Sequence, residues 1–137
     1  MPLTSTYRNN LVAAAFGTGH AEVFPATYYL GLSTTNPAST ATEPSSNGYA
    51  RVAITNATSD DGSTNAFTTP ANGQASNNAL ITFSAATGAW GNCGYFVLYS
   101  APTGGVLIGY GTLTTPVNVT TDTVVQFPAR SLTVTIT

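Results

Sequence analysis

The chain has no lysine, and only 6% of its 137 residues carry charge, against about 25% in an ordinary soluble domain. Its cations are Arg8, Arg51 and Arg130; its anions are Glu22, Glu43, Asp60, Asp61 and Asp122. With three scattered arginines and a formal charge of -2, it lacks the clustered cations that release counterions from nucleic acid, so no nucleic-acid partner is expected. No apolar run approaches the roughly 20 residues of a helical membrane span, so no membrane partner is expected. Met1-Pro2-Leu3-Thr4-Ser5 lacks the basic start and apolar core of a signal peptide. Cys93 is the single cysteine, so no internal disulfide framework can form. Beside Gly94-Tyr95-Phe96 it reads as a small buried hydrophobe. Synthesis in a reducing cytoplasm, without export, is the expectation.

What is present is an ordinary apolar content of 42%, which separates the chain from a disordered tail. The length fits one domain with a genuine core. Threonine, serine and asparagine must then make up the surface. A freely diffusing protein usually stays soluble through mixed surface ions. A chain that lacks them suits a life packed against copies of itself or a larger assembly, which makes a scaffold or shell component the leading class.

Hydrophobic spacing gives the organisation. A helix is predicted over about 4–16, capped by Thr4 or Ser5 and striped by Tyr7, Leu11, Ala14 and Ala15, with Gly17 as a left-handed stop. From Thr27 the period becomes two. Tyr28, Leu30 and Leu32 fall on one face of a half-buried strand, and Val52 and Ile54 mark a second. The stretch of about 55–79 is a long polar loop with one large apolar side chain, Phe67. Such loops are uncommon in compact domains, so an ordered one is expected to be held from outside its own core. Further strands are predicted at Leu80–Phe83, Tyr95–Tyr99, Val106–Leu113, around Val117 and Val119, at Val124–Phe127, and through Leu132, Val134 and Ile136. Tyr95–Tyr99 reads as covered on both faces, and it forms a hairpin with the strand after Pro102-Thr103-Gly104-Gly105. Gly109 and Gly111 leave room for a bulge or a close backbone approach. Seven or eight short strands separated by turns predict a mainly β fold, a single-domain antiparallel β-sandwich or jelly-roll-like barrel with a short N-terminal helix.

A search for chemistry finds little. His20 is the only histidine and reads as a loop residue, since a catalyst or a metal site would need partners beside it. Asp60-Asp61-Gly62-Ser63 lacks the alternating ligands of a calcium loop and reads as an Asx-type turn. There is no serine elbow, P-loop or dinucleotide fingerprint. No catalytic, cofactor-binding or metal-ligating residue is assigned, and no enzyme activity or cofactor is expected. The aromatic side chains at Tyr28, Tyr29, Tyr49, Trp90, Tyr95, Phe96, Tyr99 and Tyr110 could form a sugar platform. Most fall at strand positions where packing accounts for them, and a carbohydrate-binding module stays a weaker alternative.

A resemblance runs along nearly the whole chain. It is carried by Phe16-Gly17, by Pro25-Ala26-Thr27-Tyr28-Tyr29-Leu30-Gly31-Leu32-Ser33-Thr34-Thr35-Asn36-Pro37, and by Gly48-Tyr49-Ala50-Arg51. Ile81-Thr82-Phe83, Ala85-Ala86-Thr87-Gly88-Ala89-Trp90-Gly91, Tyr110-Gly111-Thr112-Leu113-Thr114-Thr115-Pro116 and Phe127-Pro128-Ala129 before the closing strand continue it. Together they resemble a family of small structural proteins of tailed bacteriophages, commonly labelled tail-fibre proteins; proteins of this style also serve as head decoration or cement proteins. The pattern departs at Thr55–Asn78, which is longer than the resemblance predicts. The resemblance implies a virion component without catalytic residues.

Because no heptad or repeat that would build a shaft is present, capsid decoration is the first expectation. The partners would be the chain itself, as a trimer, and the major capsid protein. Tail-fibre or tail-associated attachment, with a host-surface glycan as a further partner, is the alternative. The expected interface residues are Tyr7, Leu11, Phe16 and Phe67 as apolar anchors and Arg8 at their rim. Contacts of low charge should be insensitive to salt.

Overall fold

A computed structural model of the chain describes residues 1–17 and 25–135. His20, Glu22 and Ile136 lie outside the described residues. Helix α1 spans Ser5–Phe16, and eight strands follow among the described residues: β1 (Thr27–Ser33), β2 (Val52–Thr55), β3 (Gln74–Ser76), β4 (Ile81–Thr82), β5 (Gly91–Tyr99), β6 (Leu107–Val119), β7 (Gln126–Phe127) and β8 (Thr133–Thr135). The fold is mainly β with antiparallel sheets, as the alternation predicts. One four-stranded sheet has the order β2-β1-β5-β6, and the two-stranded ribbons β3-β8 and β4-β7 complete the β-structure.

The sheet grows from its centre. Strands β5 and β6 form the expected hairpin, with Val97 opposite Tyr110 and Leu98 opposite Gly109. A register shift between Leu98 and Tyr99 leaves Ile108 as the extra residue, a bulge of the kind that glycine-flanked strands admit. Gly109 also meets the close approach foreseen for it: a Cβ there would lie 2.6 Å from Met1 Sδ and 3.0 Å from Pro2 O. The N-terminal residues pair with β6 at this point, with Leu3 bridged antiparallel to Gly109 and Thr4 N–H donating to Ile108 O at 2.7 Å.

Three sequence expectations are corrected. Val117 and Val119 do not form a separate strand, because β6 continues through Pro116 to Val119, although its pairing with β5 shifts register there, from Tyr95 opposite Thr112 to Cys93 opposite Val117. Proline is tolerated there because β6 is the sheet's edge strand. Strand β1 is not half-buried: Leu30, Gly31, Leu32 and Ser33 are all buried, so both of its faces are covered. The segment over the second face comes so close that a Cβ on Gly31 would meet Glu43 Oε1 at 2.5 Å and the Tyr49 hydroxyl at 2.6 Å. Gly17, finally, ends α1 without entering the left-handed region, at φ -148°. Its N–H closes the last turn by donating to Ala13 O at 2.8 Å.

The core gathers Leu30, Leu32, Ile54, Ile81, Phe83, Trp90, Cys93, Leu98, Ile108, Val119 and Phe127. Phe83 stands at its aromatic centre, 6.4 Å from Tyr49 and from Trp90 and 6.2 Å from Phe127. Tyr49 meets Trp90 edge-on at 5.2 Å, and Phe96 meets Phe127 at 6.1 Å. These aromatics are spent on packing. Cys93 is fully buried, and burial pushes its thiol pKa up, which keeps it protonated and inert.

Candidate interaction surface

Helix α1 is the element that presents two different faces. Thr4 caps its start, its hydroxyl oxygen accepting from Tyr7 N–H at 3.2 Å and donating to Leu107 O at 2.7 Å. The cap therefore serves the helix and fastens it to β6. Positions 7, 11 and 14 fall on one face of a 3.6-residue helix, and Tyr7, Leu11 and Ala14 pack on the core. Positions 8, 12 and 16 fall on the opposite side. There Val12 is 60% exposed and Phe16 88% exposed, with Arg8 in line with them. Arg8 makes a long contact with Ser5 Oγ at 3.4 Å.

The five residues expected at an interface are thus divided. Tyr7 is 5% exposed and belongs to the domain's own core, where its hydroxyl lies 3.3 Å from that of Tyr28. Desolvation, helped by that hydroxyl contact, raises its pKa. As an anchor reaching out to a partner, Tyr7 is corrected: the core already takes its ring. Leu11 and Phe67 are half-buried and reach a cleft of about 240 Å³ between α1 and the segment containing Asn56–Thr58 and Phe67–Ala75. Tyr7 lines the base of the same cleft with Leu3, Tyr28, Leu98 and Ile108. Arg8 lies in a second, more polar cleft with Pro2, Ser5, Ala38 and Tyr110. Phe16 stands clear of both. Sequence reasoning missed Val12, although its position four residues from both Arg8 and Phe16 marks the outer face.

The cleft's outer wall is the polar segment of 55–79, and that segment is held from within, which corrects the expectation of an outside support. Asn77 and Asn78 are fully buried. Asn77 Nδ2 donates to Ala79 O and Pro128 O, both at 2.9 Å, and its Oδ1 accepts from Leu132 N–H at 2.8 Å. Asn78 Nδ2 donates to Asp61 Oδ1 at 2.7 Å and to Thr64 O at 2.9 Å, while its Oδ1 accepts from Gly62 N–H at 3.0 Å. Strand β3, which the polar composition concealed, pairs Ala75 with Val134 of β8. Phe67 bridges Thr58 and Asn77 through its backbone and packs edge-on to Tyr28 at 5.6 Å.

Asp61 forms the expected Asx-type turn, its Oδ1 accepting from Ser63 N–H at 2.8 Å and Thr64 N–H at 2.9 Å. These backbone donors, with the Thr64 hydroxyl and Asn78, hold its carboxyl well below the usual range. The described residues contain no cluster of three or more metal-ligating side chains.

On the second face of β1, Arg51 and Glu43 form a partly buried ion pair, their side chains 7% and 18% exposed. Arg51 Nε donates to Glu43 Oε1 at 2.9 Å and Nη2 donates to Oε2 at 2.6 Å, the forked arrangement that suits guanidinium and carboxylate. Arg51 Nη1 donates to Ala101 O and Gly104 O, at 2.7 and 2.8 Å, and the guanidinium carbon stands 3.6 Å from the Tyr99 ring centroid. Tyr49 donates to Glu43 Oε1 at 2.6 Å and accepts from Leu32 N–H at 2.9 Å. Its hydroxyl thereby continues the hydrogen bonding of β1 where pairing with β2 ends at Val52. Burial, then the bond to Glu43, pushes the Tyr49 pKa up. The arrangement clamps a loop, a strand and a hairpin turn together.

A family model described as Gp80, podophage GP4 fiber I protein gp80, matches residues 3–135. The chain belongs to this family. It is therefore a bacteriophage structural protein of the fibre type and a virion component, as the resemblance in its sequence implies. No curated protein matches it.

Proposed function

We propose that this member of the fibre family is a non-enzymatic building block of the phage fibre that docks through the outer face of α1. The observation that carries the proposal is the exposed stripe of Arg8, Val12 and Phe16 on a helix whose other face is fixed to the core. Exposed apolar side chains grouped on one rigid element mark an interaction site, and the family description supports placing that site in a fibre. The mechanism is mechanical. Each contact buries apolar area at roughly 25 cal/mol per Å², and repetition in a symmetric assembly turns weak contacts into avidity. A closed homo-oligomer, such as a trimer, supplies that repetition.

Capsid decoration, with the major capsid protein as partner, was the first expectation from the sequence and remains the second reading. The absence of any shaft-like repeat favours it, since the described residues build one small β domain. The fibre reading takes precedence because the family's description fits it directly. Under that reading a host-surface glycan is a further partner to test by array screening. Electron microscopy of intact particles, with gold-labelled antibody against this chain, should place label on fibres. Label spread evenly over the shell would overturn the fibre reading in favour of decoration.

A further inference from the structure

Two features on either side of α1 match each other and cannot meet within one molecule. Phe16 is a large aromatic side chain left 88% exposed. The cleft behind the helix, rimmed by Leu11, Ala57, Phe67 and Pro70, is apolar, and none of the described residues that line it is charged. Its volume of about 240 Å³ is below the roughly 300 Å³ at which small-molecule pockets begin; it is a space for a side chain. Phe16 lies nine residues beyond Tyr7, about 180° round the helix from the face that borders the cleft. It cannot turn back into its own cleft.

We infer that the cleft receives Phe16 of a second copy of this chain. The contact is head-to-tail, helix outer face against helix inner cleft, and rests on the self-association included in the proposed function. Such heterologous contacts either close into a ring or continue as a filament. Neither surface demands the removal of buried charge: the described residues of the cleft carry none, and the outer stripe has Arg8 at its far end. An aromatic side chain buries on the order of 150–250 Å², so even with its surroundings one contact falls short of the roughly 1,000 Å² of a stable pair. A single contact is consequently weak, and the copies join at high concentration or where an assembly already holds them side by side.

The test places the photocrosslinker p-benzoylphenylalanine at position 16 of the full chain and irradiates the protein over a range of concentrations. Covalent multimers are expected to rise with concentration, and mass spectrometry should find their adducts in the peptides around Asn56–Thr58 or Phe67–Ala75. Filling the cleft mouth with Ala57→Trp should cut the yield roughly tenfold or more, as loss of an interface anchor does. In a second measurement, Phe16→Ser should abolish concentration-dependent sedimentation while leaving the melting temperature in place, which keeps the test independent of how Ala57→Trp folds. Absence of multimers at the highest concentrations, adducts mapping elsewhere, or adducts in assembled virions solely to a different protein would each overturn the inference. None of these outcomes bears on whether gold label lies on fibres, so failure here is distinguishable from failure of the fibre reading.

Discussion

Helix α1 and the polar segment of 55–79 present the same puzzle in sequence, since neither has enough apolar side chains to explain its place in a fold. The structure separates them. The segment is anchored by two fully buried asparagines whose amides reach across to Pro128 and Leu132 on one side and to Asp61, Gly62 and Thr64 on the other. The helix, by contrast, spends Tyr7, Leu11 and Ala14 on the core and leaves Val12 and Phe16 outside. Polarity alone therefore says little about outside support, because a buried amide with every donor and acceptor matched can hold a loop as an apolar side chain would. Exposed apolar side chains on an otherwise anchored helix are the better pointer to a partner.

The comparison is broken most severely where the fold depends on charge. Arg51→Ala should leave the partly buried Glu43 carboxylate without its partner and free two carbonyls of the hairpin turn. Breaking a fully buried pair by removing one member typically costs about 3–5 kcal/mol; with Glu43 still 18% exposed, chemical denaturation of the variant should show a loss at the lower end of that range. A loss under 1 kcal/mol would mean that the clamp is not a major support of the domain.

Asn77→Ala addresses the polar segment directly. It removes three side-chain hydrogen bonds and leaves Leu132 N–H unpaired in the interior. An unsatisfied buried group costs about 1–3 kcal/mol, so a total of about 2–4 kcal/mol is expected from denaturation. Proteolysis should open the segment of 55–79 before the β1–β5–β6 sheet. If instead the variant melts as wild type, the segment is held by something other than its amides.

Acid should loosen the same region. The Asp61 carboxyl is held low by the Thr64 and Ser63 N–H groups, the Thr64 hydroxyl and Asn78, and Asp60 is lowered chiefly by the Thr69 hydroxyl and N–H. A carboxyl whose folded pKa lies below its unfolded value contributes stability that is complete above the unfolded pKa and is lost as pH falls towards the folded one. The denaturation midpoint should therefore decline on acidification below about pH 4, and Asp61→Asn should flatten part of that decline. A midpoint that rises in acid would reverse the sign and refute this account.

Much of the β-structure was legible because it rests on alternation: Leu30 and Leu32, Ile81 and Phe83, and the Val97–Tyr110 hairpin all follow from spacing that a period-two strand requires. Strand β3 was hidden because Gln74-Ala75-Ser76 has no apolar alternation and gains its place by pairing with β8. The Arg51–Glu43 clamp escaped notice because the two residues stand eight apart with a turn between them, so their meeting depends on tertiary folding. Charge scarcity was the available signal, since arginine and glutamate are rarely buried unless paired. At the candidate interface, Tyr7 and Phe16 were expected together as apolar anchors, yet their spacing of nine residues puts them on opposite sides of α1. One faces the core and the other faces out.

That opposition gives the smallest effect on stability and the sharpest contrast within one element. Leu11→Ser strips an apolar side chain from its packing on the core. Half-buried as it is, the loss should be about 1–2 kcal/mol on the scale of burying such a side chain. Phe16→Ser changes a residue 88% exposed, and surface substitutions of this kind stay within about 0.5 kcal/mol. At temperatures where both are folded, Phe16→Ser should enter virions poorly despite its unchanged stability, and Leu11→Ser should also enter less well, since Leu11 rims the cleft proposed to receive Phe16. Thermal melts beside quantitative blots of purified particles provide both readouts from the same preparations. Equal incorporation of Phe16→Ser and wild type would show that the outer face of α1 is idle, and the docking role proposed for it would have to move elsewhere on the domain.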